Sequence, residues 1–200
     1  KAQFGLITPD VITAKGPLRT FAAGGAPAVE LVDLRLVLAQ IAVDTGARDH
    51  LILTRAQASP DQPQIILLHG GFASLEEVLD LVAGTAAEAF VSRRDGKVRL
   101  TRPLVIWADA GLLLGPDDDL ILDTAAGSFI VNLGRLDIRG AHLTGSASTN
   151  QGDPTFRPFL LTAGRGSLSV RDARFSHLGF GKTQRFGGVA VMREAVPVLF

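Results

Sequence analysis

Two stretches of this chain carry the same pattern of hydrophobic and polar positions. Phe129-Ile-Val-Asn-Leu-Gly134 leads into Arg135-Leu-Asp-Ile-Arg-Gly-Ala-His-Leu143, and Phe159-Leu-Leu-Thr-Ala-Gly164 leads into Ser167-Leu-Ser-Val-Arg-Asp-Ala-Arg-Phe175. Leu136, Ile138, Arg139, Ala141 and Leu143 match Leu168, Val170, Arg171, Ala173 and Phe175 at a shift of 32 residues. The first half of the block is shifted by 30, so the pair Arg165-Gly166 is an insertion between the halves. Apolar and polar residues alternate with period two, the mark of a strand with one buried face. No segment long enough for a helix separates the short strands. Such repeats bury their faces by stacking coil on coil, which predicts a parallel β-helix.

The same spacing extends upstream to Lys97. Strands are expected at Val98–Leu100, Leu104–Trp107, Gly111–Leu114, Leu120–Leu122, Phe129–Val131, Leu136–Ile138 and His142–Thr144. Further ones are expected at Phe159–Leu161, Leu168–Val170, Arg174–Ser176 and Gly188–Met192, with Gly, Asp and Asn at the corners between them. Ser146–Arg157 is polar and contains Gly and Pro, and reads as a loop projecting from one corner. Ahead of the repeats, Gln64-Ile-Ile-Leu-Leu-His-Gly70 reads as a buried strand. Ser74-Leu-Glu-Glu77 then forms a capping box, in which the Ser74 hydroxyl accepts from the Glu77 amide and Glu77 reaches back. Leu75, Val78, Leu79 and Val82 share one helical face and Gly84 is a natural stop, so a helix is expected over 75–83. A terminal coil has no neighbour on one side, and this helix is placed to cover it.

Residues 1–60 are read as a leading segment, strand-rich, and 61–200 as the capping helix and first coils. Val29-Glu-Leu-Val-Asp-Leu-Arg-Leu-Val-Leu-Ala-Gln-Ile41 alternates at first and then turns uniformly apolar, which fits either a strand or a short buried helix. The strongly apolar Val189–Phe200 has no polar cap, so the solenoid is expected to continue. The start at Lys1 is in keeping with removal of an N-terminal segment.

Composition narrows the partners. The chain has 200 residues, is 46% hydrophobic and carries 22 Gly and 10 Pro, enough for a continuous core with many turns. Twenty basic residues balance 20 acidic ones, so no global field recruits nucleic acid or an anionic membrane. A polyanion would need a local basic patch. Cysteine is absent, which removes disulfides and thiolate metal sites. Glu30, Asp33, Arg35 and Gln40 interrupt the longest apolar run, so no membrane span is expected.

Among candidate chemistry, Lys182 and Arg185 lie in the Gly-flanked stretch Gly179-Phe-Gly-Lys-Thr-Gln-Arg-Phe-Gly-Gly188, where a polymer could pass close to the backbone. The plainer alternative is a solvated basic turn. Arg139 and Arg171 recur at equivalent repeat positions and should stack as a cation ladder able to pair with carboxylates. The alternative, arginines paired with Asp137 and Asp172 or left in solvent, is the stronger of the two. His177 follows the last strand of the second repeat and is the histidine best placed to approach a groove, although a lone histidine is more often structural. His50, His69 and His142 show no paired metal spacing. Asp117-Asp-Asp119 lacks the extended ligand pattern of a calcium loop. There is no Gly-x-Ser-x-Gly elbow and no phosphate-binding loop. No metal and no cofactor is expected.

Leu122-Asp-Thr-Ala-Ala-Gly-Ser-Phe-Ile-Val-Asn-Leu-Gly134, Phe156-Arg-Pro-Phe-Leu160 and Phe175-Ser-His-Leu-Gly-Phe180 resemble early rungs of the periplasmic mannuronan C-5 epimerases, over about residues 64–192. The resemblance implies an all-β, right-handed parallel β-helix with a short N-terminal capping helix. It also implies an acidic polysaccharide, a uronate polymer such as alginate, as partner, and a periplasmic or extracellular location. The family's catalytic signature Asp-Pro-His-Asp, whose His is proposed to take the C5 proton, is absent. The only Asp-Pro here, Asp153-Pro154, continues with Thr155. This chain is therefore expected to supply scaffold and groove, with Lys182, Arg185, Arg171, Arg139 and His177 as substrate contacts and no catalytic residue of its own. The alternatives are a non-catalytic carbohydrate-binding or surface scaffold and a polysaccharide lyase, which shares the initial proton abstraction.

Overall fold

The run from Val29 divides where its pattern changes. In the computed structural model, which describes residues 25–45, 50–180, 186–192 and 196–199, the alternating half is strand β1 (Ala28–Asp33) and the apolar half is helix α1 (Leu34–Thr45). A second helix, α2 (His50–Arg55), follows. The leading segment, expected to be strand-rich, thus contains more helix than strand among its described residues. The reason is packing: Leu34, Val37 and Leu38 are buried at helical spacing while Arg35 and Leu36 face water.

Next come β2 (Gln64–His69), β3 (Phe72–Ser74), helix α3 (Leu75–Val82), a short 3-10 turn, and β4 (Val91–Arg94) with β5 (Lys97–Leu100). The second coil is β6 (Leu104–Ile106), β7 (Gly111–Leu114) and β8 (Asp119–Leu122). The third is β9 (Ile130–Asn132), β10 (Arg135–Arg139) and β11 (His142–Gly145). The fourth is β12 (Leu160–Thr162), β13 (Ser167–Arg171) and β14 (Arg174–Ser176), and β15 (Val189–Val191) and β16 (Val196–Leu199) follow. Three sheets result, in the orders β1-β2-β6-β9-β12-β15, β3-β7-β10-β13-β16 and β4-β5-β8-β11-β14. Pairing is parallel throughout except at the ends β1/β2 and β4/β5. The fold is a right-handed parallel β-helix, and the repeat is in the expected register: Leu136 pairs with Leu168 and Ile138 with Val170.

Two apolar layers hold it together. Inside the coils, Ala73, Leu112, Leu136 and Leu168 form one column and Val98, Leu120 and Leu143 another. Helix α3 closes the first coil with Leu75, Val78 and Val82, capped by Ser74 and Glu77 as the sequence predicts. The second layer lies outside the first sheet. There Ile65, Val105, Val131 and Leu161 are covered by Leu34, Val37 and Leu38 of α1, by Leu53 of α2 and by a group of phenylalanines. Phe129 stacks on Phe159 at 4.7 Å between centroids, and Phe159 meets Phe186 at 4.5 Å.

Ser146–Arg157 does not project from its corner. Asn150 and Phe156 are buried, and the Asn150 amide donates to the carbonyls of Ala56, Thr124 and Ala125, which folds the segment back onto the leading helices. Among the described residues, both faces of the first sheet are covered from β2 to β12, while the outer faces of the second and third sheets carry exposed polar side chains.

Candidate functional site

On the second sheet, alternation turns Leu112, Leu136 and Leu168 inward and their neighbours outward. The register aligns Phe72, Gly111, Arg135 and Ser167 across four coils, Ser74, Leu113, Asp137 and Ser169 beside them, and Arg139 next to Arg171. Adjacent rungs are about 4.8 Å apart, so Arg139 and Arg171 stack on one face with Arg135, and Arg139 is paired with Asp137, the alternative the sequence favoured. Asp137 organises these cations. Its Oδ2 accepts from Arg135 Nη2 at 2.8 Å and from Arg139 Nη2 at 3.3 Å. Burial pushes the Asp137 carboxyl up, but the Ser169 hydroxyl and the two guanidinium groups outweigh it and hold the acid below its ordinary value. One carboxylate thus faces two guanidinium groups, and among the described residues Arg171 makes no ion pair. The face retains net positive charge.

A shallow groove of about 360 Å³ runs from these residues to the capping helix, lined by Phe72, Ser74, Glu77, Leu113, Arg135 and Arg139. The Glu77 carboxyl is held below the usual carboxylate range by the Ser74 backbone N–H and then its hydroxyl. It is an ionised acceptor at the closed end.

The third sheet carries a different array. Lys97 lies 3.2 Å from Asp119, His142 Nδ1 lies 3.5 Å from Asp119 Oδ1, and His142 Nε2 is 2.9 Å from Ser176 Oγ. The order Asp119–His142–Ser176 suggests an activated serine, yet the Ser176 hydroxyl donates to Thr144 Oγ1 at 2.8 Å rather than to the imidazole. This is a ladder that ties rungs together. His177, with φ of 54°, lies at its edge with Nδ1 3.5 Å from Thr144 Oγ1, on the third-sheet side and not with the arginines. Lys182 and Arg185 fall outside the described residues. Asp118 closes the turn before β8 by accepting from the Gly115 amide at 2.7 Å, and among the described residues no cluster of three metal-ligating side chains occurs.

Arg139 and Arg171 are therefore brought together, while His177 stands apart. Arg135 was within reach of sequence reasoning, since it shares the period-two face of Arg139. Nothing local in the sequence marks Phe72.

A parallel β-helix of this kind has solved counterparts. No protein-family model matches the chain. It is 26% identical over 133 residues to the mannuronan C5-epimerase of Pseudomonas fluorescens, covering 62% of this chain and 24% of that protein. Against the mannuronan C5-epimerase of Pseudomonas aeruginosa it is 26% identical over 138 residues, with the same shares covered. The crystal structure of the periplasmic alginate epimerase AlgG superposes with a TM-score of 0.71 at 18% identity, covering 99% of this chain and 50% of that one. The chain thus has a mannuronan epimerase-like fold. It spans about a quarter of the length of the curated relatives it matches. Among the described residues no helix is long and apolar enough to cross a membrane.

Proposed function

We propose that the outer face of the second sheet binds a uronate polymer such as alginate, and that the chain forms the early coils of an exported, epimerase-like polysaccharide-modifying protein. The observation that carries this is the register of Arg135, Arg139 and Arg171 around Asp137. Inversion at C5 removes a proton next to a carboxylate, and the carbanion is accessible only when a cation neutralises that carboxylate. Arginines at rung spacing can pair with successive carboxylates while the polymer lies along the solenoid axis. Asp153, in the chain's Asp-Pro pair, accepts from the Thr155 amide at 2.9 Å and from the Thr155 hydroxyl at 2.6 Å. Proton transfer is assigned to later coils carrying the Asp-Pro-His-Asp signature, in keeping with the partial coverage of the relatives. The periplasm, or the cell exterior, is the setting this reading favours.

The test is titration of a mannuronate oligomer against the chain, an Arg139→Ala/Arg171→Ala double variant and a Lys182→Ala/Arg185→Ala double variant. The wild-type chain should bind without turnover, and its affinity should fall with salt. The first double variant should bind more weakly and with less salt dependence. Equal affinity for wild type and first double variant overturns the assignment of this face, and turnover by the chain alone overturns the scaffold role. Loss confined to the second double variant would move the site to the stretch that contains Lys182 and Arg185.

A further inference from the structure

The groove is not uniform along its length. Its cations, Arg135 and Arg139, lie on the third coil with Arg171 one rung beyond, whereas the end nearest α3 presents Phe72, Leu113 and the Glu77 carboxylate. Phe72 is 41% exposed and Leu113 42% exposed, and both line the same groove beside Ser74, Arg135 and Asp137. The Phe72 ring lies over the Gly111 backbone and stays partly open to solvent. Gly111, its neighbour one rung on, leaves the space the ring uses: a Cβ at that position would run into the Phe72 ring. The Arg135 guanidinium lies 5.7 Å from the ring centroid and links this apolar end to the cation ladder.

We infer that Phe72, Leu113 and Glu77 form a sugar-ring subsite at the capped end of the groove, a conclusion that rests on the polyuronate reading above. A pyranose presents an apolar C–H face and an edge of hydroxyls. Phe72 and Leu113 take the C–H face, and the Glu77 carboxylate accepts hydrogen bonds from the hydroxyls. A uronate carboxylate is disfavoured beside Glu77 and favoured over Arg135, Arg139 and Arg171. The groove therefore reads a sugar ring at one end and carboxylates at the other. A chain with a direction along its backbone meets that asymmetry in only one orientation. Phe72 is a specificity-determining residue that contributes through ring contact and not through charge.

Salt separates the two contributions, because screening weakens the carboxylate contacts and leaves the ring contact. Mannuronate oligomers are titrated calorimetrically against wild type, Phe72→Ala, Phe72→Trp, Gly111→Ala and Arg139→Ala at low and at moderate sodium chloride. Phe72→Ala should bind about five- to tenfold more weakly at both salt concentrations, with the salt slope unchanged. Phe72→Trp should hold affinity, and Gly111→Ala, which displaces the ring, should lose it with Phe72 intact. Arg139→Ala should lower both affinity and slope. Because Phe72 lies on the surface and outside both apolar layers, its variants should melt close to wild type, which a thermal scan verifies. Unchanged binding by Phe72→Ala alongside weakened binding by Arg139→Ala would overturn the subsite and leave the polyuronate face standing. Weakened binding by Phe72→Ala with an intact Arg139→Ala would support the subsite and remove the cations. No binding by wild type would remove both.

Discussion

Asn150 offers a sharp test of how the leading helices are fastened to the solenoid. It is 1% exposed, its Nδ2 lies 2.6 Å from Ala56 O, 3.1 Å from Thr124 O and 3.0 Å from Ala125 O, and its Oδ1 accepts from the Asp153 amide at 2.8 Å. Two N–H donors thus serve three carbonyls from two distant segments, and one acceptor closes the turn. Asn150→Ala leaves roughly three buried hydrogen bonds unmade, each contributing about 1 kcal/mol, for a loss near 3 kcal/mol. Asn150→Asp keeps the size, so a purely steric account expects almost no effect. The hydrogen-bond account expects the opposite, since a carboxylate oxygen would then face three carbonyl oxygens in a buried site. Asn150→Asp should lose more than Asn150→Ala at pH 7, well above about 3 kcal/mol. The new carboxyl would have its folded pKa raised. Its penalty is absent below the unfolded value of about 3.9 and grows as pH rises toward the folded pKa. Urea unfolding followed by the fluorescence of Trp107, the single tryptophan, gives both midpoints at constant slope. A variant Asn150→Asp as stable as wild type, or more stable than Asn150→Ala at neutral pH, would refute the reasoning.

Two further outcomes follow from the same packing. Val78, on the buried face of α3 and 2% exposed, should not tolerate Asp: Val78→Asp is expected to destabilise the fold by more than about 2 kcal/mol in the same urea assay. Asp137 has a folded pKa below its ordinary value, so its stabilisation is present above about pH 4 and lost as pH falls through the folded pKa. Asp137→Asn should therefore lower stability at neutral pH and flatten the acid limb of the stability profile, as measured by urea midpoints from neutral pH downward.

The solenoid was legible because each coil repeats one binary pattern: Leu136-Asp-Ile138 and Leu168-Ser-Val170 announce their own register. The capping helix was legible from Ser74 to Glu77 because a capping box is a local signal. The two-sided burial of the first sheet was visible only as unbroken apolar runs, such as Ile65 to Leu68, and what covers its outer face is set by contacts across nearly a hundred residues. For the same reason the 146–157 excursion read as exposed. Its polar residues are satisfied by distant carbonyls that a local reading does not see. The arginine ladder follows from alternation plus register, so Arg139 and Arg171 were accessible from the repeat alone. Phe72 belongs to the groove only because Gly111, thirty-nine residues on, stands beside it in the next coil.

The face itself can be observed directly. Nitrogen-15 spectra of the arginine side chains, recorded while a mannuronate oligomer is added, report which guanidinium groups meet carboxylates. Arg135, Arg139 and Arg171 should shift together and saturably, while Arg93, paired with Glu76, and Arg99, paired with Asp123, stay still. Shifts at Arg93 or Arg99 with Arg135, Arg139 and Arg171 unmoved would place the polymer elsewhere and contradict the assignment of the second sheet.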